Sequence, residues 1–167
     1  FVILGVAAGW NELKGLKRFI EMSEKLNDNQ VIVLVGSIKN DIQLPKNILS
    51  VGVTGSVSEL ADYYNMADVF VTMSFEETFG KVSAEALACG TPVVCFNSTA
   101  NPEIVGKGCG YVVDESSVNA IMDAVNTVQK NKKSFYSNAC VSYANQKFSK
   151  EKQIDEHIKL YRELVSK

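Results

Sequence analysis

Residues 68–96, with the sequence DVFVTMSFEETFGKVSAEALACGTPVVCF, hold the pattern that decides the fold. Two short apolar runs, at 68–73 and 92–96, are typical of strands that are buried on both faces. Between them a loop leads into a helix that is predicted to start near Lys81 and to end at Cys89, just before Gly90. A buried strand, a helix and a second buried strand predict neighbouring elements of a parallel α/β sheet.

The same alternation extends in both directions from this segment. Four further strands are predicted where the chain carries apolar runs, at residues 1–5, 31–36, 48–53 and 110–113. From about Ser117 the chain is predicted to be helical, and one of its apolar stripes is made of Phe135, Ala139, Tyr143 and Ala144. The sequence therefore predicts an α/β fold, with a parallel sheet of about six strands and helices on both of its faces.

Length and composition limit the classes of function. The chain has 167 residues, a net charge of −2 and a pI of about 5.5, which suits one domain with no affinity for nucleic acid or anionic membranes. No apolar stretch reaches the roughly 18 residues of a membrane span. The four cysteines form no C-x-x-C pair and are predicted to be reduced, and a zinc site is not expected because the single histidine, His157, lies far from them. The chain opens on FVILG, inside a predicted strand and without Met, so we expect it to be one domain of a longer protein.

The loop after the fourth predicted strand is the most suggestive place for a ligand, because ligands of an open parallel sheet bind outside the carboxyl ends of its strands. Gly80 directly precedes the predicted helix, and a helix N-terminus that offers the amides of Lys81 and Val82 suits a phosphate. Lys14, in the loop after the first strand, can add a positive charge beside the same anion. The plainer alternatives are that Gly80 is a turn glycine and that Lys14 is a solvated lysine.

Two glutamates near this helix raise a separate question. Glu85 lies among small or apolar neighbours, and a carboxylate that is buried without partners is costly, so it needs hydrogen-bond donors. Those donors are either ligand hydroxyls or a structural Thr, Lys or backbone N–H group. Glu77 lies in the loop, where simple solvation is the alternative to a role in binding.

Motifs of other enzyme classes are missing from the sequence. There is no G-x-G-x-x-G, no P-loop, no G-x-S-x-G elbow and no Cys/His cluster. An Asp-x-Asp pair, which often holds a metal-bound nucleotide diphosphate, is absent too. Backbone amides and lysine are therefore predicted to neutralise a bound phosphate, and no obligatory metal or other cofactor is expected.

Residues 74–105, SFEETFGKVSAEALACGTPVVCFNSTANPEIV, resemble the signature of the group 1 (family 4) retaining glycosyltransferases of GT-B fold. That signature has an acidic residue, x, Phe-Gly, then a Glu-Ala-x-Ala-x-Gly-x-Pro-Val-Val run and a Pro-Glu-Ile-Val motif. Here Glu77 precedes Phe79 and Gly80, and seven residues separate Glu77 from Glu85, which is the family's E-x7-E spacing. Segments on both sides resemble the family as well, so the likeness covers nearly the whole chain.

The resemblance implies a Rossmann-like, doubly wound sheet that forms the C-terminal, donor-binding half of a two-domain enzyme. Such a hexosyltransferase moves a sugar from a nucleotide-diphosphate sugar to an acceptor glycan or lipid-linked acceptor, with retention of anomeric configuration. The acceptor is held mainly by an N-terminal domain that this chain lacks, so the isolated domain is expected to be inactive. A cytoplasmic location, with membrane attachment through the absent domain as a variant, and a role in cell-envelope polysaccharide assembly follow from the family alone.

The resemblance also assigns roles to residues of this sequence. Glu77 and Lys14 are implied to be catalytic, with Glu77 near the 3- and 4-hydroxyls of the donor sugar and Lys14 on the diphosphate. Glu85 is implied to accept hydrogen bonds from the ribose hydroxyls. The other implied donor contacts are the amides of Phe79 and Gly80 to the sugar and of Lys81 and Val82 to the diphosphate, Val53 and Thr54 at the base, and Asn101, Pro102 and Glu103 facing the cleft.

The sequence departs from the family's pattern at one position, and two other functions remain as alternatives to a glycosyltransferase. The family often has a Gly-Arg step just after the first strand, and its Arg joins the lysine on the diphosphate, whereas here Gly5 is followed by Val6. Asn11 or a residue of the absent domain is a candidate substitute. The rival functions are a non-catalytic nucleotide-sugar-binding or assembly module and a sugar-nucleotide epimerase of the same fold.

Overall fold

The computed structural model describes residues 1–114 and 117–166. Within these ranges the strands are β1 (Val2–Gly9), β2 (Val31–Ser37), β3 (Ile48–Val51), β4 (Val69–Thr72), β5 (Val93–Phe96) and β6 (Gly110–Val113). The helices are α1 (Leu16–Ser23), α2 (Val57–Met66), α3 (Lys81–Ala88), α4 (Asn101–Ile104), α5 (Val118–Asn131), α6 (Lys133–Phe148) and α7 (Lys150–Val165). All six strands are parallel in one sheet with the order β3-β2-β1-β4-β5-β6, which confirms the predicted fold.

The strand order reverses at β1, which pairs with β2 on one side and with β4 on the other. The chain moves from β1 to β3 in one direction and from β4 to β6 in the opposite direction. Because such crossovers are right-handed, α1 covers one face of the sheet and α2 and α3 cover the other. The helix contacts agree, since α2 packs on α3, whereas α1 packs on α5. Ligands of doubly wound sheets bind at this switch point, outside the carboxyl ends of the strands.

The core lies between the sheet and both helix layers. Every residue of β4 and β5 is buried, which explains why these strands are continuous apolar runs without alternation. The cysteines are free thiols, as predicted, and Cys95, Cys109 and Cys140 are buried. Burial raises the pKa of Cys95 and of Cys140 to about 12 each.

The first strand is longer than predicted, because it continues past Gly5 to Gly9. Val6 still pairs with Val35, and after an irregularity Gly9 pairs with Ser37. The Ser37 hydroxyl also donates to the carbonyl of Ala8 at 2.9 Å. The Gly5–Val6 step therefore lies inside the strand, and Gly9–Trp10 occupies the place just after it, again without Arg.

The buried stripe of α6 is offset from the prediction. Its buried residues are Tyr136, Cys140 and Ala144, whereas Phe135 is exposed. The Tyr136 hydroxyl bonds to that of Tyr111 on β6 at 2.9 Å, so this ring and not its neighbour is fixed in the core. In α7, by contrast, no residue is buried.

Candidate active site

The start of α1 is packed against the end of β4, which brings two loops together at the switch point. Gly15, the N-cap of α1, has a left-handed φ of +82°, and a Cβ there would lie 2.9 Å from the carbonyl oxygen of Met73. Arg18, on the first turn of α1, donates to the same carbonyl at 3.3 Å and stacks 3.8 Å from the centre of the Phe75 ring. Glycine is therefore required at residue 15. Its close contact with Met73 brings the neighbouring Lys14 close to the loop 74–80.

Lys14 and Glu77, the two residues predicted to be catalytic, form an ion pair in this place. The Lys14 Nζ lies 2.7 Å from the Glu77 Oε1, a short charge-assisted hydrogen bond. The Glu77 side chain is only 15% exposed and that of Lys14 is 38% exposed, so neither is simply solvated. Both line a cavity of about 210 Å³, whose wall also includes Lys81 and Val82 from the start of α3.

The first turn of α3 has the form expected of an anion site. Gly80 is its N-cap, with a left-handed φ of +78°, and no side chain caps this helix end. The amides of Ser83 and Ala84 bond to the Gly80 carbonyl at 2.9 and 3.2 Å. The amides of Lys81 and Val82 precede them in the turn, where backbone N–H groups have no acceptor within a helix.

Glu85 is half-buried, and its donor inside the protein is a residue that the sequence did not predict. The Tyr64 hydroxyl donates to the Glu85 Oε2 at 3.1 Å, and the Lys81 Nζ lies 3.8 Å from Oε1. With 34% of its side chain exposed, Glu85 is less enclosed than its apolar neighbours in sequence indicated. One carboxylate oxygen is therefore bonded internally and the other is weakly paired.

Tyr64 is held firmly in place by α2 and its neighbours. Its side chain is 1% exposed, and its ring lies edge-on to Phe70 with 5.8 Å between centroids. Its carbonyl accepts from the Thr91 hydroxyl at 2.6 Å and from the Lys133 ammonium at 3.3 Å. Burial and the nearby carboxylate of Glu85 raise the pKa of Tyr64 far above its usual value, so the hydroxyl stays protonated and remains a donor.

Glu77 and Glu85 lie on different concave surfaces that meet at Lys81. A second cavity, of about 500 Å³, is formed by α3, the end of α6 and the start of α7, and its wall includes Phe79, Lys81 and Glu85. Because Lys81 lines both cavities, one ligand that contacts both glutamates must cross the first turn of α3. That turn is where a diphosphate is favoured by the helix dipole.

The other residues predicted to bind the donor line neither cavity. Val53 is exposed and Thr54 is half-buried in the loop after β3, which ends at Val51. Asn101, predicted to face the cleft, is 1% exposed, and its amide group donates to the Ser74 carbonyl and the Ser98 hydroxyl at 3.4 Å each. Pro102 is half-buried and Glu103 is exposed.

A further contact to Glu77 was missed by sequence reasoning. The Glu77 amide donates to the Thr99 hydroxyl at 3.0 Å, and Thr99 has a φ of +47°. A threonine in a polar loop beside the predicted cleft is the only sequence signal for it, and Tyr64 has none beyond its place in an apolar helix. Both contacts join residues more than 20 positions apart in sequence.

Comparison with known proteins assigns the chain to a family. The sequence profile described as "Glycosyl transferases group 1" matches residues 2–147. The chain belongs to the group 1 glycosyltransferases. O-antigen chain mannosyltransferase B of Escherichia coli is 48% identical to this glycosyltransferase chain over 63 residues, which are 38% of the chain and 16% of the relative. The chain thus spans less than a fifth of that relative's length.

Two solved structures share the fold. The C-terminal domain of a group 1 glycosyltransferase from Francisella tularensis has a TM-score of 0.72 and 24% identity, over 89% of this chain and 86% of that one. The Anabaena protein HepE, solved with UDP and glucose, has a TM-score of 0.72 and 23% identity, over 94% of this chain and 48% of its own. This glycosyltransferase chain therefore has the fold of the C-terminal half of a GT-B enzyme, as predicted.

Two further observations describe the same parts of the chain. Across residues 1–114 and 117–166, no cluster of three or more His, Cys, Asp or Glu side chains is arranged to hold a metal ion. In those ranges no helix combines the length and the apolar character that crossing a membrane requires.

Proposed function

We propose that the protein containing this chain is a retaining glycosyltransferase of hexosyltransferase type. It transfers a sugar from a nucleotide-diphosphate sugar to an acceptor glycan or lipid-linked acceptor. The observation that carries the proposal is the 2.7 Å pair of Lys14 and Glu77 beside the uncapped first turn of α3, in a chain of this family. HepE, solved with UDP and glucose, and the E. coli O-antigen mannosyltransferase support the donor class and a role in polysaccharide synthesis.

In this proposal the diphosphate lies at the start of α3. The amides of Lys81 and Val82 and the positive end of the helix dipole bind its oxygens. The Lys14 ammonium, 2.7 Å from Glu77, then lies between a carboxylate and a phosphate and is shared by them. Each strong donor aimed at the leaving phosphate contributes about 3–4 kcal/mol to the stabilisation of the transition state.

The two glutamates bind different parts of the donor. Glu77, with a carboxylate that is mostly shielded from solvent, accepts hydrogen bonds from hydroxyls of the sugar. Glu85 keeps Oε2 on Tyr64 and offers Oε1 to the ribose hydroxyls. Phe79 and Gly80 contact the sugar through their amides, and the loop at Val53 and Thr54 lies near the base.

The reaction breaks the bond between the anomeric carbon and the diphosphate oxygen, and the electron pair leaves with that oxygen. The acceptor hydroxyl forms its new bond on the same face of the sugar, and its proton passes to the departing phosphate oxygen. Lys14 and the α3 amides stabilise the charge that develops there. We propose no metal or other cofactor for this step, and we place the enzyme in the cytoplasm, where nucleotide sugars are the donors.

A non-catalytic binding module is the second candidate, and the observation in its favour is that Val6 and not Arg follows Gly5 in the first strand. The test is to incubate the full-length protein with UDP-, GDP- and ADP-sugars, with and without glycan acceptors, and to follow the products by NMR. The proposal expects a new glycosidic bond of unchanged anomeric configuration, formed only with acceptor. Conversion of the sugar nucleotide without acceptor would identify an epimerase, and binding without any turnover would identify a module.

A further inference from the structure

The loop between β5 and α4 contains a strained residue beside the site. Among residues 1–114 and 117–166, the non-glycine residues with positive φ are Thr99, at +47°, and Lys132, at +68°. A β-branched residue is rarely found in the left-handed region, since its Cβ is crowded by its own backbone. Such a conformation persists only where surrounding contacts hold it, and it is frequent at functional sites.

The contacts that Thr99 makes are directed at the backbone of one residue. Its hydroxyl accepts the Glu77 N–H at 3.0 Å, and the N–H of the next residue, Ala100, donates to the Glu77 carbonyl at 3.4 Å. Both backbone polar groups of Glu77 are thus bonded to residues 99 and 100. The same two segments are also joined at the Ser74 carbonyl, which accepts from the Ser98 hydroxyl at 3.5 Å and from the Asn101 amide group, at the start of α4, at 3.4 Å.

The direction of the Glu77 carboxylate depends on this backbone. The side chain reaches Lys14 at 2.7 Å and is shielded from solvent, while loop 74–80 has no regular secondary structure of its own to fix it. The Thr99 hydroxyl, which a left-handed backbone holds against the Glu77 N–H, therefore fixes the Glu77 backbone and the start of its side chain.

We propose that Thr99 is a positioning residue, whose strained backbone holds its hydroxyl on the Glu77 amide and so directs the Glu77 carboxylate toward the donor sugar. The inference rests on the proposed function in one respect only, namely that Glu77 contacts the donor. The structural part, that Thr99 fixes Glu77, is independent of any activity.

Four variants of the full-length protein test the proposal. Thr99→Ser keeps the hydroxyl, Thr99→Ala removes it and keeps the strain, and Thr99→Gly removes both. Lys132→Gly is the matched control, since it relieves a positive φ between α5 and α6 without touching the site. The measurements are the hydrogen-exchange rate of the Glu77 amide, kcat and KM with UDP-glucose, GDP-mannose and ADP-glucose, and Tm.

We expect Thr99→Ala and Thr99→Gly to speed exchange of the Glu77 amide about tenfold and to lower kcat about 5- to 10-fold, as the loss of one hydrogen bond predicts. Donor KM stays within about twofold, and Thr99→Ser restores both properties. The Tm of Thr99→Gly is expected to be higher than that of Thr99→Ala, although both variants lose activity, because only glycine relieves the backbone strain. Lys132→Gly raises Tm and leaves kcat unchanged.

Unchanged amide exchange in Thr99→Ala overturns the proposal, as does wild-type kcat in that variant or a Thr99→Ser variant as impaired as Thr99→Ala. A different result would contradict the proposed glycosyltransferase function. In that case wild type and Glu77→Gln are equally inactive with every donor tested, while the exchange rates and Tm values still decide whether Thr99 holds Glu77.

Discussion

Glu85 has one oxygen bonded inside the protein and one that is open to a ligand. Tyr64 donates to Oε2 at 3.1 Å, and the Lys81 Nζ lies 3.8 Å from Oε1. Burial and the carboxylate of Glu85 raise the pKa of Tyr64, so its hydroxyl stays protonated and remains a donor at neutral pH. Tyr64 therefore holds Oε2 and leaves Oε1 for a ligand.

Removal of that hydroxyl is the first prediction at this scale. Tyr64→Phe is expected to weaken sugar-nucleotide binding about tenfold, since a hydrogen bond to a charged group contributes about 1.5–3 kcal/mol and only part of it acts on the ligand. Calorimetry measures the affinity. The control is Tyr136→Phe, which removes an equally buried hydroxyl bonded to Tyr111, and it should bind donor as wild type does. Equal losses in both variants would show that a general change of packing is responsible.

The pair of Lys14 and Glu77 gives a second prediction. Lys14→Met is expected to lower kcat/KM about 100- to 1000-fold, as the removal of one strong donor to a developing oxyanion does. Glu77→Gln is expected to lower kcat more than donor affinity. Because the two groups are 2.7 Å apart, the double variant should lose less than the sum of the two single losses in free energy. Strict additivity in the double-mutant cycle would contradict a shared site.

At the scale of elements, the start of α3 depends on the backbone conformation of Gly80. Its φ is +78°, and a Cβ built on it would lie 3.4 Å from the nearest atom, which belongs to Ile104. A larger residue would therefore fit in the space, but it would have to adopt an unfavourable left-handed backbone conformation. Gly80→Ala should therefore destabilise the protein by about 1–2 kcal/mol, lower its Tm by roughly 2–8 °C, and reduce donor binding by tilting the first-turn amides.

Gly52→Ala is the control for this prediction, because a Cβ there has no neighbour within 4 Å and its φ is not in the left-handed region. Thermal unfolding and calorimetry of both variants measure the difference. A Gly80→Ala protein with the wild-type Tm and donor affinity would show that α3 needs no left-handed cap.

Strands and helices could be predicted from the sequence where the residues of the element themselves favour it. The strands at 68–73 and 92–96 are continuous apolar runs, and β4, α3 and β5 lie within two residues of the predicted bounds. The end of β1 was not predicted, because Ala7, Ala8 and Gly9 carry no strand preference and owe their conformation to pairing with β2.

The site could be predicted only in part, for the same physical reason. Gly80 and the two glutamates lie in one continuous segment, and their spacing is visible in the sequence. The hydrogen-bond partners that hold those glutamates come from elsewhere in the chain. Lys14 and Tyr64 donate to the carboxylates at separations of 63 and 21 positions, and Thr99 accepts the Glu77 N–H at a separation of 22. Asn101, which the family resemblance placed at the cleft, is buried and donates to the Ser74 carbonyl and the Ser98 hydroxyl, and neither bond has a signal in the local sequence.

At the scale of the whole molecule, buried thiols predict how stability depends on pH. Burial raises the pKa of Cys95 and of Cys140 to about 12, from about 9 in an unfolded chain. Below pH 9 the thiols are protonated in both the folded and the unfolded state, so the raised pKa does not change stability there. As the pH rises from 9 toward 12, the unfolded chain releases these protons before the folded protein does, and the folded state loses stability. The free energy of unfolding should fall by roughly 1.4 kcal/mol per pH unit for each thiol in that window.

Urea denaturation at pH 7, 9 and 10.5 measures this slope. Cys95→Ala should flatten it between pH 9 and 10.5 by the contribution of one thiol, whatever its effect at pH 7. Parallel pH profiles for the variant and wild type would mean that the Cys95 thiol ionises as readily in the folded protein as in the unfolded chain.

Titration of the full-length protein with UDP-, GDP- and ADP-sugars, for wild type and Glu85→Ala, tests the central claim most directly. That claim is that the first turn of α3, Lys14 and the two glutamates together hold a sugar nucleotide. We expect at least one donor to bind wild type and to bind Glu85→Ala at least tenfold more weakly, while the variant stays folded although the Tyr64 hydroxyl loses its acceptor. Loss of stability with unchanged donor affinity, or no binding of any of these nucleotides to wild type, would contradict it.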